Sequence, residues 1–224
     1  FYKKSWAIAN LDKFPSANGR ILQWLSLPDA IIISLSLSDF VNEQQWLLFY
    51  CEKLPKNALF YPRLQADNKK TIKIVQNLLK IRSDLRVVLP IELYKNKIFE
   101  KQCQKKQIFA LKLNQSQLMN FLSDKTLSTN LPTNLPWLAS CHDLDSIEKA
   151  NEVAKNYPLI GIFVSPVKPT QTHLESQALG LSAFGELTKY ADMPVIALGG
   201  LKMSDLPKIR QHGGFCISGI RNFI

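Results

Sequence analysis

Long apolar runs are missing from this 224-residue chain, and none approaches the ~20 consecutive apolar residues a membrane helix needs. No basic-then-apolar leader with a small-residue cleavage site precedes the first apolar segment. Cysteine is scarce and scattered: Cys51, Cys103, Cys141 and Cys216 form no CxxC pair and no metal-ligand spacing. That argues against a disulfide framework and against a metal centre, and reads as reduced thiols in a cytoplasmic protein. Basic tracts interleaved with aromatics are also missing. The formal charge is +10, yet the lysine pairs at 3, 69 and 105 are dispersed, so a phosphorylated small molecule is expected as partner ahead of nucleic acid. Histidine occurs only three times, as His142, His173 and His212.

What the chain does have is a regular alternation of short apolar runs and segments of helical period, the mark of repeated β-α units on a parallel sheet. The runs are AIIISLSL (30–37), ALFYPRL (58–64), LRVVLP (85–90), IFALKL (108–113), WLAS (137–140), LIGIFV (159–164), PVIAL (194–198) and GFCIS (214–218). Eight such units describe an α/β fold, a (β/α)8 TIM barrel, with an open doubly wound sheet as the structural alternative. Only IRNFI comes after the eighth run, so the last helix is expected to be short or missing. Residues 1–29 read as a linker and a helix closing the barrel bottom, 30–224 as the barrel, and LSTNLPTNLP (127–136) as a loop. Asp145 and Glu148 stand at capping-box spacing, and Ser204 with Asp205 are placed to cap the helix whose first turn holds Pro207.

In such barrels chemistry sits at the C-terminal ends of the strands, with phosphate held after the seventh and eighth. LGGL (198–201) offers Gly199 and Gly200, whose N–H groups an anion can approach closely; ISGIR (217–221) offers Ser218, Gly219 and Arg221. After the sixth strand comes SPVKPTQTH (165–173), where Lys168, Thr170, Thr172 and His173 supply donors suited to phosphate. His142 comes two residues after strand-end Ser140 and is expected in the barrel mouth, where an imidazole can move protons or simply bond a neighbouring carbonyl. His212 reads as solvated. Cys141, adjacent to His142, should point the opposite way, against the outer helices.

The segments ASCHDLDSIEKA, SPVKPTQTH, ALGLSAF, MPVIALGGL and GFCISGIR resemble, in order and spacing, the thiamine-phosphate synthase and TenI superfamily. That resemblance implies a phosphate cup at Gly199, Gly200, Ser218 and Gly219, and phosphate or pyrophosphate contacts from Thr170, Thr172 and His173. It makes His142 the counterpart of the proton-transferring histidine of thiazole tautomerases, and Arg63, Ser140 and Lys112 substrate-binding residues. The family's synthases hold magnesium on aspartates after the third and fourth strands; here LPIE (89–92) and LNQSQ (113–117) have none, so no metal and no cofactor is expected. Of the family's Gln-x-Arg-x-Lys only Arg63 is kept, and His173 replaces a pyrophosphate-binding lysine. A narrower resemblance, from SCH, SPVKPTQTH, LGLSAF and the entry segment WAIANLDKFPSANGRIL, is to the barrel C-terminal to MutT-type Nudix hydrolases in fusion proteins. It implies an upstream Nudix domain, a segment for which the start at Phe1 leaves room; homo-oligomerisation is a further expectation. The implied functions are a thiazole tautomerase using His142, a non-catalytic domain binding a phosphorylated ligand, or a degenerate thiamine-phosphate synthase.

Overall fold

Eight parallel strands close into a barrel in neighbour order β1 to β8 in the computed structural model, which describes residues 2–9, 20–94, 98–123, 131–170 and 177–224. The strands are β1 Ala30–Ile33, β2 Leu59–Tyr61, β3 Arg86–Pro90, β4 Ile108–Leu113, β5 Trp137–Cys141, β6 Leu159–Val164, β7 Val195–Leu198 and β8 Cys216–Gly219. Each is a short, nearly unbroken apolar run because a barrel strand is covered on both faces, and β6 is buried along its whole length. β1 is shorter than its apolar run: beyond Ile33 the chain turns into a 3-10 segment, Leu37–Asp39, capped by Ser36. The fold class is therefore a (β/α)8 barrel, and after β8 the chain makes a 3-10 turn, Arg221–Phe223.

Two cores result. The outer one lies between wall and helices and takes Leu111, Leu113, Ala139, Cys141, Ile162 and Val164. The inner one takes Ile31, Leu59, Val88, Ala110, Leu138, Ile160 and Ile196, sealed at the base by Trp24 from the helix Ile21–Ser26. Asp29 joins this base to the neighbouring elements, accepting Lys3 at 2.8 Å and Arg210 at 2.7 Å.

Two strands carry an extra residue. Val87 pairs with Ile108 but Val88 with Ala110, leaving Phe109 over in β4; Trp137 pairs with Leu159 but Leu138 with Gly161, leaving Ile160 over in β6. Such a bulge reverses which side successive side chains face. Ile108 accordingly belongs to the outer core and Ala110 to the inner, and Lys112, two residues on, points inward. In β6 the same device puts Phe163 inside between outward Ile162 and Val164.

The helix Leu144–Ala154 buries Ile147, Ala150, Val153 and Ala154 at helical spacing. Its cap is Asp143, in reciprocal contact with Ser146, rather than Asp145 with Glu148. β5 ends at Cys141, so the extended residue available to cap is Asp143, and Asp145 falls inside the first turn. At the helix Leu206–Gln211, Asp205 occupies the cap position with Pro207 in the first turn, but makes no side-chain cap. Its carboxylate instead accepts the Lys202 N–H at 3.0 Å and Lys168 Nζ at 2.7 Å. His212 is half-buried, its Nδ1 bonded to the Lys208 carbonyl at 2.8 Å, so it closes a helix end rather than facing water. Among the described residues no helix is long and apolar enough to cross a membrane. The first part of the LSTNLPTNLP loop, and residues 10–19 of the entry segment, lie outside the described residues.

Candidate functional site

The loops after β6 and β7 dock on each other at the barrel's C-terminal mouth. Val167 N–H donates to the Leu198 carbonyl at 2.9 Å, and Lys168 N–H to the Gly199 carbonyl at 3.1 Å. This close approach is why the GG pair is needed. Gly199 and Gly200 have φ of 105° and 61°; a Cβ on Gly199 would lie 2.9 Å from Pro166, and one on Gly200 would meet the Pro169 carbonyl oxygen. On the β8 side Gly219 packs beneath the Phe223 ring. The result is a concavity of about 280 Å3 lined by Thr170, Gly199, Gly200, Gly219, Ile220 and Arg221 among others. Backbone groups freed of side chains on three sides suit a phosphate-sized anion.

A second cavity, of about 540 Å3, opens beside it and shares Thr170, Leu198, Gly199 and Ile220 with the first. Its walls bring together Tyr61 and Arg63 from the β2 end, Lys112 from β4, Ser140 from β5 and His142 just beyond β5. Of the site residues read from the sequence, His142, Arg63, Lys112, Ser140, Thr170 and Gly199 thus meet in one cavity, with Gly200 and Gly219 in the adjoining cup. Ser218 is fully buried and donates to the Ala197 carbonyl at 3.3 Å, so it supports the cup from behind rather than lining it. Thr172 and His173 lie outside the described residues. Lys168 is ion-paired with Asp205 at 2.7 Å, so its charge is matched within the protein.

His142 is exposed at the rim, its Nδ1 2.7 Å from the Ser165 carbonyl oxygen. A carbonyl can only accept, so Nδ1 carries the hydrogen and the neutral ring keeps its lone pair on Nε2. The partner is a backbone atom, which no sequence pattern could have named. Cys141 is buried on the outer side, its Sγ contacting the Ser146 carbonyl, and burial pushes its thiol up to about 12. It is no nucleophile at neutral pH.

Lys112 lies on the cavity floor, 8% exposed, with Nζ donating to Ser140 Oγ at 2.6 Å. Nζ sits 5.2 Å from the Tyr61 ring and 5.4 Å from the Phe163 ring. Burial pulls its pKa down to about 8; Glu92 acts in the opposite direction, and Arg63 reinforces the drop. Tyr61 is pushed up to about 12 by burial and by the Glu92 charge, against the pull of Arg63. Arg63 Nε is buried without a hydrogen-bond partner among the described residues. The two aromatic rings beside Lys112 were not named from the sequence. Tyr61 could have been found by counting back two residues from Arg63; Phe163 could not, because the β6 bulge puts it inside.

The magnesium that the synthase resemblance implies does not fit these residues. Glu92 accepts Gln117 Nε2 at 3.1 Å, and no group of three His, Cys, Asp or Glu able to hold a metal occurs among the described residues.

Similarity to known proteins is concentrated in the half of the chain that holds the cup. Residues 138–223 match the family model described as thiamine monophosphate synthase, TMP-TENI. The "Putative thiamine-phosphate synthase 2" of Aquifex aeolicus is 31% identical over 85 residues, 38% of this chain and 44% of that protein. The thiamine-phosphate synthase of Methanococcus maripaludis is 28% identical over 82 residues, 37% of this chain and 36% of that protein. The matched stretch therefore spans less than half the length of these curated relatives. Among solved structures, a thiamine phosphate pyrophosphorylase from Pyrococcus furiosus superposes with a TM-score of 0.50 at 16% identity, over 86% of this chain and 85% of that one. A 3-hexulose-6-phosphate synthase gives 0.54 at 12% identity, over 86% and 90%. At such identities these two likenesses speak for the barrel fold alone.

Proposed function

We propose that the barrel binds a small heteroaromatic phosphate of the thiazole phosphate kind and that His142 moves a proton on it, as a thiazole tautomerase of TenI type. The observation that carries this reading is that His142, its tautomer set by the Ser165 carbonyl, borders the same cavity as the glycine cup. The phosphate is assigned to Gly199, Gly200, Gly219 and Thr170, with Ser218 behind them. The ring is assigned to the larger cavity, against Tyr61, Arg63, Ser140 and Lys112.

Tautomerisation removes a proton at one atom and returns it at another. A single imidazole can do both: Nε2 takes the proton, the Nδ1–H bond to the Ser165 carbonyl steadies the imidazolium, and Nε2 gives the proton back. No acidic pair is needed, in keeping with a mouth where Glu92 is bonded to Gln117.

A second reading is a non-catalytic domain that holds a phosphorylated ligand for an attached Nudix pyrophosphohydrolase. It draws on the ion pair that occupies Lys168 and on the lack of an acidic cluster among the described residues. His142→Ala separates the two. A tautomerase keeps its calorimetric affinity for thiazole phosphate within a few-fold and loses turnover by about 100-fold or more. Turnover that is absent from the parent chain, with binding intact, selects the second reading. Undetectable binding of thiazole phosphate removes the tautomerase reading.

A further inference from the structure

Both readings leave the most unusual group in the cavity as no more than part of its lining. Lys112 is the buried lysine of the described core, placed by the β4 bulge on the inner face of the barrel wall. No carboxylate of the described residues lies within ion-pair distance of it, and its hydrogen bond goes to a hydroxyl, Ser140 Oγ. The rings of Tyr61 and Phe163 flank it, and the cavity above it is open to solvent and continuous with the glycine cup. A lysine kept only to bind an anion does better near the surface, where its charge costs little. One sunk at the cavity floor, with a hydroxyl at 2.6 Å and no carboxylate of the described residues beside it, is placed to work as an amine.

We propose that Lys112 is a carbonyl-capturing nucleophile, forming an imine with an aldehyde or ketone whose phosphate sits in the glycine cup. The proposal rests on the phosphate cup of the preceding reading but concerns a different activity. The Nζ lone pair attacks the carbonyl carbon to give a carbinolamine. The carbonyl oxygen then leaves as water and C=N replaces C=O. Both hydrogens of that water come from the amine nitrogen, and the Ser140 hydroxyl, in contact with Nζ, is placed to relay them. No oxidant, reductant or metal enters the balance. With a pKa of about 8, a substantial fraction of Lys112 is the free amine at pH 7.5, on the order of 200-fold more than for a solvated lysine.

The test treats the 224-residue chain with pyridoxal phosphate or with pyridoxal at equal concentration, reduces with borohydride and locates the modified lysines by peptide mass spectrometry. Lys112 is expected to label ahead of the surface lysines, at least ten-fold faster with pyridoxal phosphate than with pyridoxal, and to be protected by inorganic phosphate. Lys112→Arg, which keeps the charge, should lose that adduct and leave surface labelling unchanged; its cooperative thermal unfolding checks that it folds. Equal rates with the two aldehydes would support the imine at Lys112 and remove the cup from beneath it. Labelling confined to surface lysines, in a chain whose calorimetry shows phosphate bound, would overturn the lysine proposal and leave the cup standing.

Discussion

Replacing Lys112 by methionine should make the protein more stable at neutral pH, and by an amount that fades as pH rises. The groups facing Nζ are Glu92, which favours its charge, Arg63, which opposes it, and the neutral Tyr61, Ser140 and Cys141. Burial outweighs Glu92, and the pKa falls from 10.5 to about 8. At about 1.4 kcal/mol per pKa unit the buried ammonium costs the folded state about 3 kcal/mol at pH 7. Proton counting gives the sign. Between about 8 and 10.5 the unfolded chain holds a proton on this lysine that the folded chain has released, so the parent gains stability as pH rises through that window. Below it both states are charged and the full penalty is present. Methionine fills the same space against two aromatic rings, at the loss of the Ser140 hydrogen bond, worth about 1 kcal/mol. The variant should therefore gain about 2 kcal/mol at pH 7. Its advantage should shrink by about 1 kcal/mol at pH 9 and by about 3 kcal/mol by pH 10.5, other titrations cancelling in the difference. Urea unfolding of both proteins at these pH values measures it. A stability difference that does not change with pH would show that the Lys112 amine is solvated and would refute the reasoning.

Gly199→Ala or Gly200→Ala forces a side chain into a left-handed backbone and against the β6 loop, so each should cost about 1–3 kcal/mol in thermal or urea unfolding. Either should also weaken phosphate binding measured by calorimetry, whereas a substitution that leaves both quantities unchanged would mean the two loops are not packed as described. Cys141, buried with its thiol pushed up to about 12, should resist alkylation by iodoacetamide in the folded protein at pH 8 and react only on unfolding, as followed by mass spectrometry.

The barrel was legible because it is written in the pattern: eight short apolar runs separated by segments of helical period leave few other ways to bury both faces of each strand. The mouth was legible where the backbone had to be glycine, as at Gly199 and Gly200. It was less legible where side chains choose among partners. Asp205 looks like a helix cap by position, yet it pairs with Lys168, a residue 37 positions away that the sequence offers as a free cation. The cap at Asp143 was misplaced by two residues because the end of β5 decides it, and strand ends depend on neighbouring strands. His142 could be placed at the mouth from its distance to Ser140, but its bond to the Ser165 carbonyl depends on how the β6 loop returns.

The bulge at Phe109 has a consequence for how such a site could be gained or lost. Along a strand, inward and outward positions are even and odd counts, and one surplus residue changes the parity of everything after it. Were β4 to keep every residue but pair without the bulge, Lys112 would turn toward the helices and a leucine would come to the cavity floor, with no change in the chemical character of the strand. A wall of the same composition would then enclose an ordinary hydrocarbon interior. The floor of this barrel is thus a property of counting, and a one-residue slip of β4 beyond Phe109 would exchange a site for a core.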